Sequence, residues 1–238
     1  MQALWEQIRV VVFDADDTLW ENEPLFREAE RKWAEVLHEY GDLASLSAAL
    51  YAVEVANMED LGYGAKAFTL SLIETAIQVT GGRLSAAQTQ QILKIGRQLL
   101  HNPAAPMPGV LDTLRELHDS GRYRMVLLTK GDLLDQEHKV MRSGLEPFFD
   151  RVAVVSNKSS REYRRLMKEL EVEPEHFLAV GNSFKSDIQP VLELGGWGIH
   201  IPFHVLWELE KTEEFDHERL LRVSEIRRIL PLLLPKEV

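Results

Sequence analysis

"IRVVVFDADDTLW", residues 8–20, joins an unbroken apolar run to three carboxylates, Asp14, Asp16 and Asp17, within four positions. An apolar run without alternation is the pattern of a strand buried on both faces of a parallel sheet. Carboxylates this close raise one another's pKa and repel unless they fan out into water or a cation sits among them. The stretch is therefore either a solvated turn leaving a buried strand or a place that holds a metal.

Four further runs share this character: "YRMVLLT" (123–129), "RVAVVS" (151–156), "FLAVG" (177–181) and "GIHI" (198–201). Helical patterns lie between them. In 109–121, Val110, Leu111, Leu114 and Leu117 share one face and Gly121 closes the segment. In 159–172, Tyr163, Leu166, Met167 and Leu170 recur at helical spacing, and 186–196 ends on Gly195 and Gly196. Strands alternating with helices of this length predict right-handed crossovers and an α/β fold with a doubly wound, Rossmann-like parallel sheet.

Residues 20–103 break the rhythm. They carry long helical patterns without a strand-like run, with Ser85 as an N-cap and the proline-rich "NPAAPMPG" (102–109) as a return linker. The organisation predicted is an α/β core of 1–19 and 104–238 with an all-helical insertion of 20–103. The tail, 219–238, is expected to dock as a helix stopped by Pro231. No internal repeat or low-complexity segment is present.

With 238 residues, 45% apolar and 27% charged, the chain has an ordinary globular composition and enough length for a real core. A formal charge of −11 argues against a nucleic-acid or anionic-membrane surface, so an anionic substrate needs local cations or a metal. The absence of cysteine removes disulfides, thiolate metal sites and cysteine nucleophiles. The N-terminus lacks the pattern of a signal peptide and no window approaches a bilayer span, which together predict a cytoplasmic protein.

Ligands of open parallel sheets bind outside the carboxyl ends of the strands. Those ends carry Asp14 and Asp16, then Thr129-Lys130-Gly131, then Lys158, then "GNSFKSD" (181–187). Hard oxygens, a lysine and turn amides are the parts needed for Mg²⁺ and a phosphate. Each alone is weak. An isolated Asp-x-Asp-x-Thr is as often a turn, Lys130 can equally face solvent, and His200 and His204, separated by Pro202, do not share a helix face for zinc.

Together, "DADDTLW", the threonine of "LLTKG", the lysine of "SNK" and "VGNSFKSDI" resemble the four ordered motifs of the haloacid dehalogenase superfamily. The resemblance covers the whole predicted core, and the helical insertion stands where that family carries its helical cap. It implies a Mg²⁺-dependent phosphatase that acts on a small phosphorylated metabolite through an aspartyl-phosphate. By the same resemblance Asp14 is the nucleophile and Asp16 the acid–base. Thr129, Lys130 and Lys158 are phosphate-binding, and Asp14, the backbone carbonyl of Asp16, Asn182 and Asp187 meet the metal. Asp17 stands where the family often has glycine and is expected to face solvent or cap the turn. Asn182 departs from the family's usual aspartate and brings no charge. In the insertion, "GYGAK" makes Tyr63 and Lys66 candidates for substrate contact.

Three other functions use the same parts. A dehalogenase would lack an acid at the Asp16 position, a phosphotransferase or mutase would exclude water, and a non-catalytic binding module would be expected to have lost Asp14, Asp16 or Lys158.

Overall fold

The computed structural model describes residues 4–235, so the ends of the predicted core, 1–3 and 236–238, lie outside the described residues. The strands are β1 (Val10–Phe13), β2 (Arg124–Lys130), β3 (Arg151–Val155), β4 (Phe177–Gly181), β5 (Trp197–His200) and β6 (Leu220–Arg222). They form one sheet in the order β3-β2-β1-β4-β5-β6, and every pairing is parallel. The helices are α1 (Leu4–Gln7), α2 (Glu23–Val36), α3 (Leu43–Leu61), α4 (Ala65–Val79) and α5 (Ala86–Leu99), then α6 (Val110–Asp119), α7 (Leu133–Ser143), α8 (Ser160–Glu169), α9 (Gln189–Glu193) and α10 (Leu230–Leu233).

The unalternating runs are explained by burial on both faces. Val11 and Phe13 of β1 join Met125, Leu127, Leu178 and Val180 in one core with Val110, Leu114 and Leu117 of α6. Val10 and Val12 point the other way, into Val126, Leu128 and Ala179 and the Tyr163, Leu166 and Met167 stripe of α8. Each such side chain contributes about 1.5–3 kcal/mol on leaving water, so neither face tolerates a polar alternation.

The chain divides into two compact units. The one that contains the sheet runs up to Glu23 and takes in Ala104–Lys130 and everything from Val140 on. The other is Pro24–Pro103 together with Gly131–Lys139. In this second unit Trp33, Leu46, Leu50, Phe68, Leu72 and Ile92 form a separate core, and the Trp33 indole donates to the Leu72 carbonyl at 3.0 Å. Ser85 caps α5 as its position predicts, in a reciprocal capping box with Gln88. No described helix is long and apolar enough to cross a membrane.

The tail differs from the prediction. Leu220–Arg222 is a sixth strand, with Leu221 in register with Ile199 of β5, and among the described residues a 3₁₀ turn (Ile226–Ile229) and the short α10 follow. Pro231 does not stop a helix. It sits in the first turn of α10, where its missing N–H has no partner to lose. A strand of three residues is too short to show alternation, while Ile226, Ile229 and Leu233 are buried on the sheet and give the segment its helical look.

Candidate active site

Asp14 stands one residue past β1. Its N–H continues the ladder to the Val180 carbonyl at 2.9 Å. Since Phe13 pairs with Leu127 and Val180, Asp14 comes level with Leu128 and Gly181 at the carboxyl edge of the sheet. The strand order reverses between β1 and β4 at this point, which is where a crevice opens in doubly wound sheets.

Lys158, just beyond β3, reaches back to this edge with its side chain 1% exposed. Its ammonium donates to Asp187 Oδ1 at 2.8 Å and also to Asp14 Oδ1. The other Asp14 oxygen accepts from the Thr18 hydroxyl at 2.7 Å, and that hydroxyl in turn accepts from the Asn182 N–H at 3.0 Å. Thr18 is brought there by a tight turn in which Thr18 N–H and Leu19 N–H both donate to the Ala15 carbonyl.

Burial, and next the charge of Asp187, push the Asp14 carboxyl up to about 6, against the pull of Lys158 and Thr18. Burial opposes the charge of Lys158, but Asp14 and Asp187 more than offset it and its pKa rises. Two carboxylates thus share one ammonium in a buried place, and the excess is negative.

Asp187 is set by the "GNSFKSD" stretch. Gly181 ends β4, Ser183 caps a single π-helical turn over Phe184–Ile188, and Ser183 N–H donates to Asp187 Oδ2 at 2.9 Å. A Cβ at Gly181 would overlap the Asp187 side chain, so the glycine serves for space. Asn182 is buried, its Oδ1 3.3 Å from the Thr18 hydroxyl, and its carbonyl accepts from His200 Nε2 at 2.9 Å.

Asp16 is half-buried, and its Oδ1 accepts from the Trp20 indole N–H at 2.6 Å. Asp17 does not face solvent. It is buried in the left-handed region at φ 64°, and its carboxylate accepts the N–H groups of Asn22 and Glu23 at the start of α2. Thr129 is buried near the end of β2. Lys130, expected on a phosphate, directs its ammonium to Glu210 and to Ser186 Oγ at 2.9 Å. Within the helical unit, Tyr63 is half-buried between two glycines of positive φ, and Lys66 is ion-paired with Asp132 at 2.8 Å.

Two residues of this constellation escape a sequence reading. Thr18 belongs to the Asp-x-Asp-x-Thr pattern, whose hydroxyl was the available signal. Glu210 lies in the long connection between β5 and β6, where nothing local marks it.

Among the described residues no group of three or more His, Asp or Glu side chains is gathered for a metal. What gathers instead is the pair of carboxylates Asp14 and Asp187 on the Lys158 ammonium, with the Asn182 amide oxygen beside the Thr18 hydroxyl that bonds Asp14. Those oxygens, all hard and short of positive charge, fit a hard divalent cation.

The family model of haloacid dehalogenase-like hydrolases matches residues 8–195. A glyceraldehyde 3-phosphate phosphatase of Methanothermobacter thermautotrophicus is 23% identical over 191 residues, which is 76% of this chain and 80% of the relative. The crystal structure of a haloacid dehalogenase-like family hydrolase from Xanthomonas campestris superposes with a TM-score of 0.84 at 40% identity, covering 93% of this chain and 88% of that one. The HAD-hydrolase YfnB of Bacillus subtilis, solved bound to magnesium, superposes with a TM-score of 0.67 at 16% identity over 95% of this chain and 99% of that one. At such identity the likeness is one of fold.

Proposed function

Since the chain belongs to the haloacid dehalogenase-like hydrolase family, we propose that it hydrolyses a small phosphomonoester through a phosphoryl group carried on Asp14. The observation that carries the reading is the buried Lys158 ammonium shared between Asp14 and Asp187, with Asp16 two residues along at the same strand end. A carboxylate nucleophile is ready at neutral pH once its charge is balanced.

Asp14 attacks phosphorus in line and the bond from phosphorus to the ester oxygen breaks, with Asp16 protonating the departing alkoxide. Asp16 then takes a proton from water. The water oxygen bonds to phosphorus, the Asp14–phosphorus bond breaks, and inorganic phosphate leaves with Asp14 restored. The Trp20 indole N–H on Asp16 Oδ1 holds the acid–base in orientation through both steps. Lys158 balances the phosphoryl oxygens, and Thr129 with the amides after it supplies donors. Asp14, Asp187, the Asp16 carbonyl and the Asn182 amide oxygen would hold Mg²⁺, which when bound supplies Lewis-acid charge to the phosphoryl group.

The relatives' name supports a triose phosphate as the first physiological substrate to try. Tyr63 and Lys66 of the helical unit are proposed to read the part of the substrate that the phosphoryl site leaves untouched. An acid two residues after the nucleophile favours ester hydrolysis over dehalogenation, which has no leaving alkoxide to protonate.

The test is turnover of an aryl phosphate with and without Mg²⁺, together with trapping by beryllium fluoride. Retention of beryllium fluoride by the wild type and not by Asp14→Asn is the expected result. Undiminished turnover in excess chelator, or in Asp14→Asn, would defeat the assignment.

A further inference from the structure

Glu210 is buried, with its carboxylate at the centre of a network that joins two of the strand ends. One oxygen accepts from the hydroxyls of Ser183 and, at 2.6 Å, Ser186; the other accepts from Lys130. Lys130 is the residue after Thr129 at the end of β2, and Ser183 and Ser186 belong to the turn that carries Asp187. Within that turn the Ser186 N–H donates to Ser183 Oγ at 3.0 Å, and the Ser183 N–H holds Asp187 Oδ2. The connection bearing Glu210 is tied to the same turn again by Lys185, whose ammonium donates to the Leu209 carbonyl at 2.7 Å.

We propose that Glu210 is a positioning residue, which clamps the turn after β4 to the end of β2 and so sets Asp187 for the metal. The proposal rests on the phosphatase reading above. Burial opposes ionisation of Glu210, but Lys130 and the two hydroxyls outweigh it and draw its carboxyl down to about 2, so the clamp is charged at every working pH. Groups that orient a metal ligand in this indirect way typically change metal affinity by about 10–100-fold when removed. A network that only held the β5–β6 connection in place would alter stability and leave metal affinity alone.

The experiment is calorimetric titration of Mg²⁺ into metal-free wild type and Glu210→Gln, without substrate, beside kcat and KM for an aryl phosphate across Mg²⁺ concentrations. The variant's Mg²⁺ Kd is expected to weaken about tenfold, with the half-saturating Mg²⁺ moving in parallel and KM at saturating Mg²⁺ within about twofold of wild type. A folded variant with wild-type Mg²⁺ affinity overturns the proposal, whatever its melting temperature. Should Glu210→Gln not fold, Ser186→Ala removes one arm of the clamp and is expected to weaken Mg²⁺ by about threefold, the weight of one hydrogen bond; an unchanged Kd there overturns it equally. A wild type that binds no Mg²⁺ fails the phosphatase reading itself, and the role of Glu210 falls with it.

Discussion

The side chain of Asp187 fills the space that a Cβ on Gly181 would occupy. Gly181 does not adopt a positive φ, so it is needed for room and not for conformation. Gly181→Ala should therefore move Asp187 off the Lys158 ammonium, with the β4 ladder still able to form. A misplacement of about 1 Å at a catalytic group costs about 10²-fold, and kcat/KM for an aryl phosphate should fall by at least that. An alanine variant with unaltered kcat/KM would mean that the reaction does not depend on where Asp187 stands.

Asp14 and Asp16 should separate kinetically. Asp14→Asn is expected to abolish turnover and leave thermal unfolding near wild type, because the amide keeps the shape and loses the nucleophile. Asp16→Asn should slow turnover by about 10²–10⁴-fold. With an aryl phosphate the leaving group departs without an acid, so the slowed step is attack by water. Asp16→Asn should then accumulate protein heavier by one phosphoryl group in intact mass spectra. If that variant loses activity with no such species, Asp16 acts before the phosphoryl transfer or not as an acid–base.

The sheet was legible because burial on both faces writes itself into unalternating apolar runs, and five strands follow from such runs. β6 was not legible: three residues carry no period, and its neighbours Ile226 and Ile229 show a helical one. At the site, the residues at strand ends could be read because topology sends every carboxyl end to one edge. Lys130 sits at such an end and yet bonds Glu210 and Ser186, since position along a strand does not report which neighbour a side chain meets. Glu210 lay beyond reach because its partners are distant in sequence, with Lys130 80 residues away.

Asp17 supplies a separate test. Its carboxylate caps the backbone entering α2 from a left-handed conformation that asparagine tolerates and alanine does not. Asp17→Ala should lose about 1–2 kcal/mol by urea unfolding, the usual weight of an N-cap, whereas Asp17→Asn should lose less. Equal losses would show that the charge, and not the cap, is what matters at this position.

In the helical unit, Glu54 of α3 is a half-buried carboxyl whose charge pH can switch. Burial first, then the neighbouring Glu30, raise its carboxyl from 4.5 to about 7, against the pull of Arg27. A carboxyl whose folded pKa lies above its unfolded value binds its proton more tightly in the folded state. Its contribution to stability is therefore complete below about pH 4.5 and is lost as pH rises through about 7. Glu54→Gln keeps the shape and has no proton to lose. The variant should match wild type at pH 4 and exceed it at pH 8 by on the order of 1–2 kcal/mol, discounted for partial exposure. Urea unfolding of both proteins from pH 4 to pH 8 measures the difference. A gap that stays constant with pH, or that favours wild type at pH 8, would show that Glu54 is charged in the folded protein without penalty.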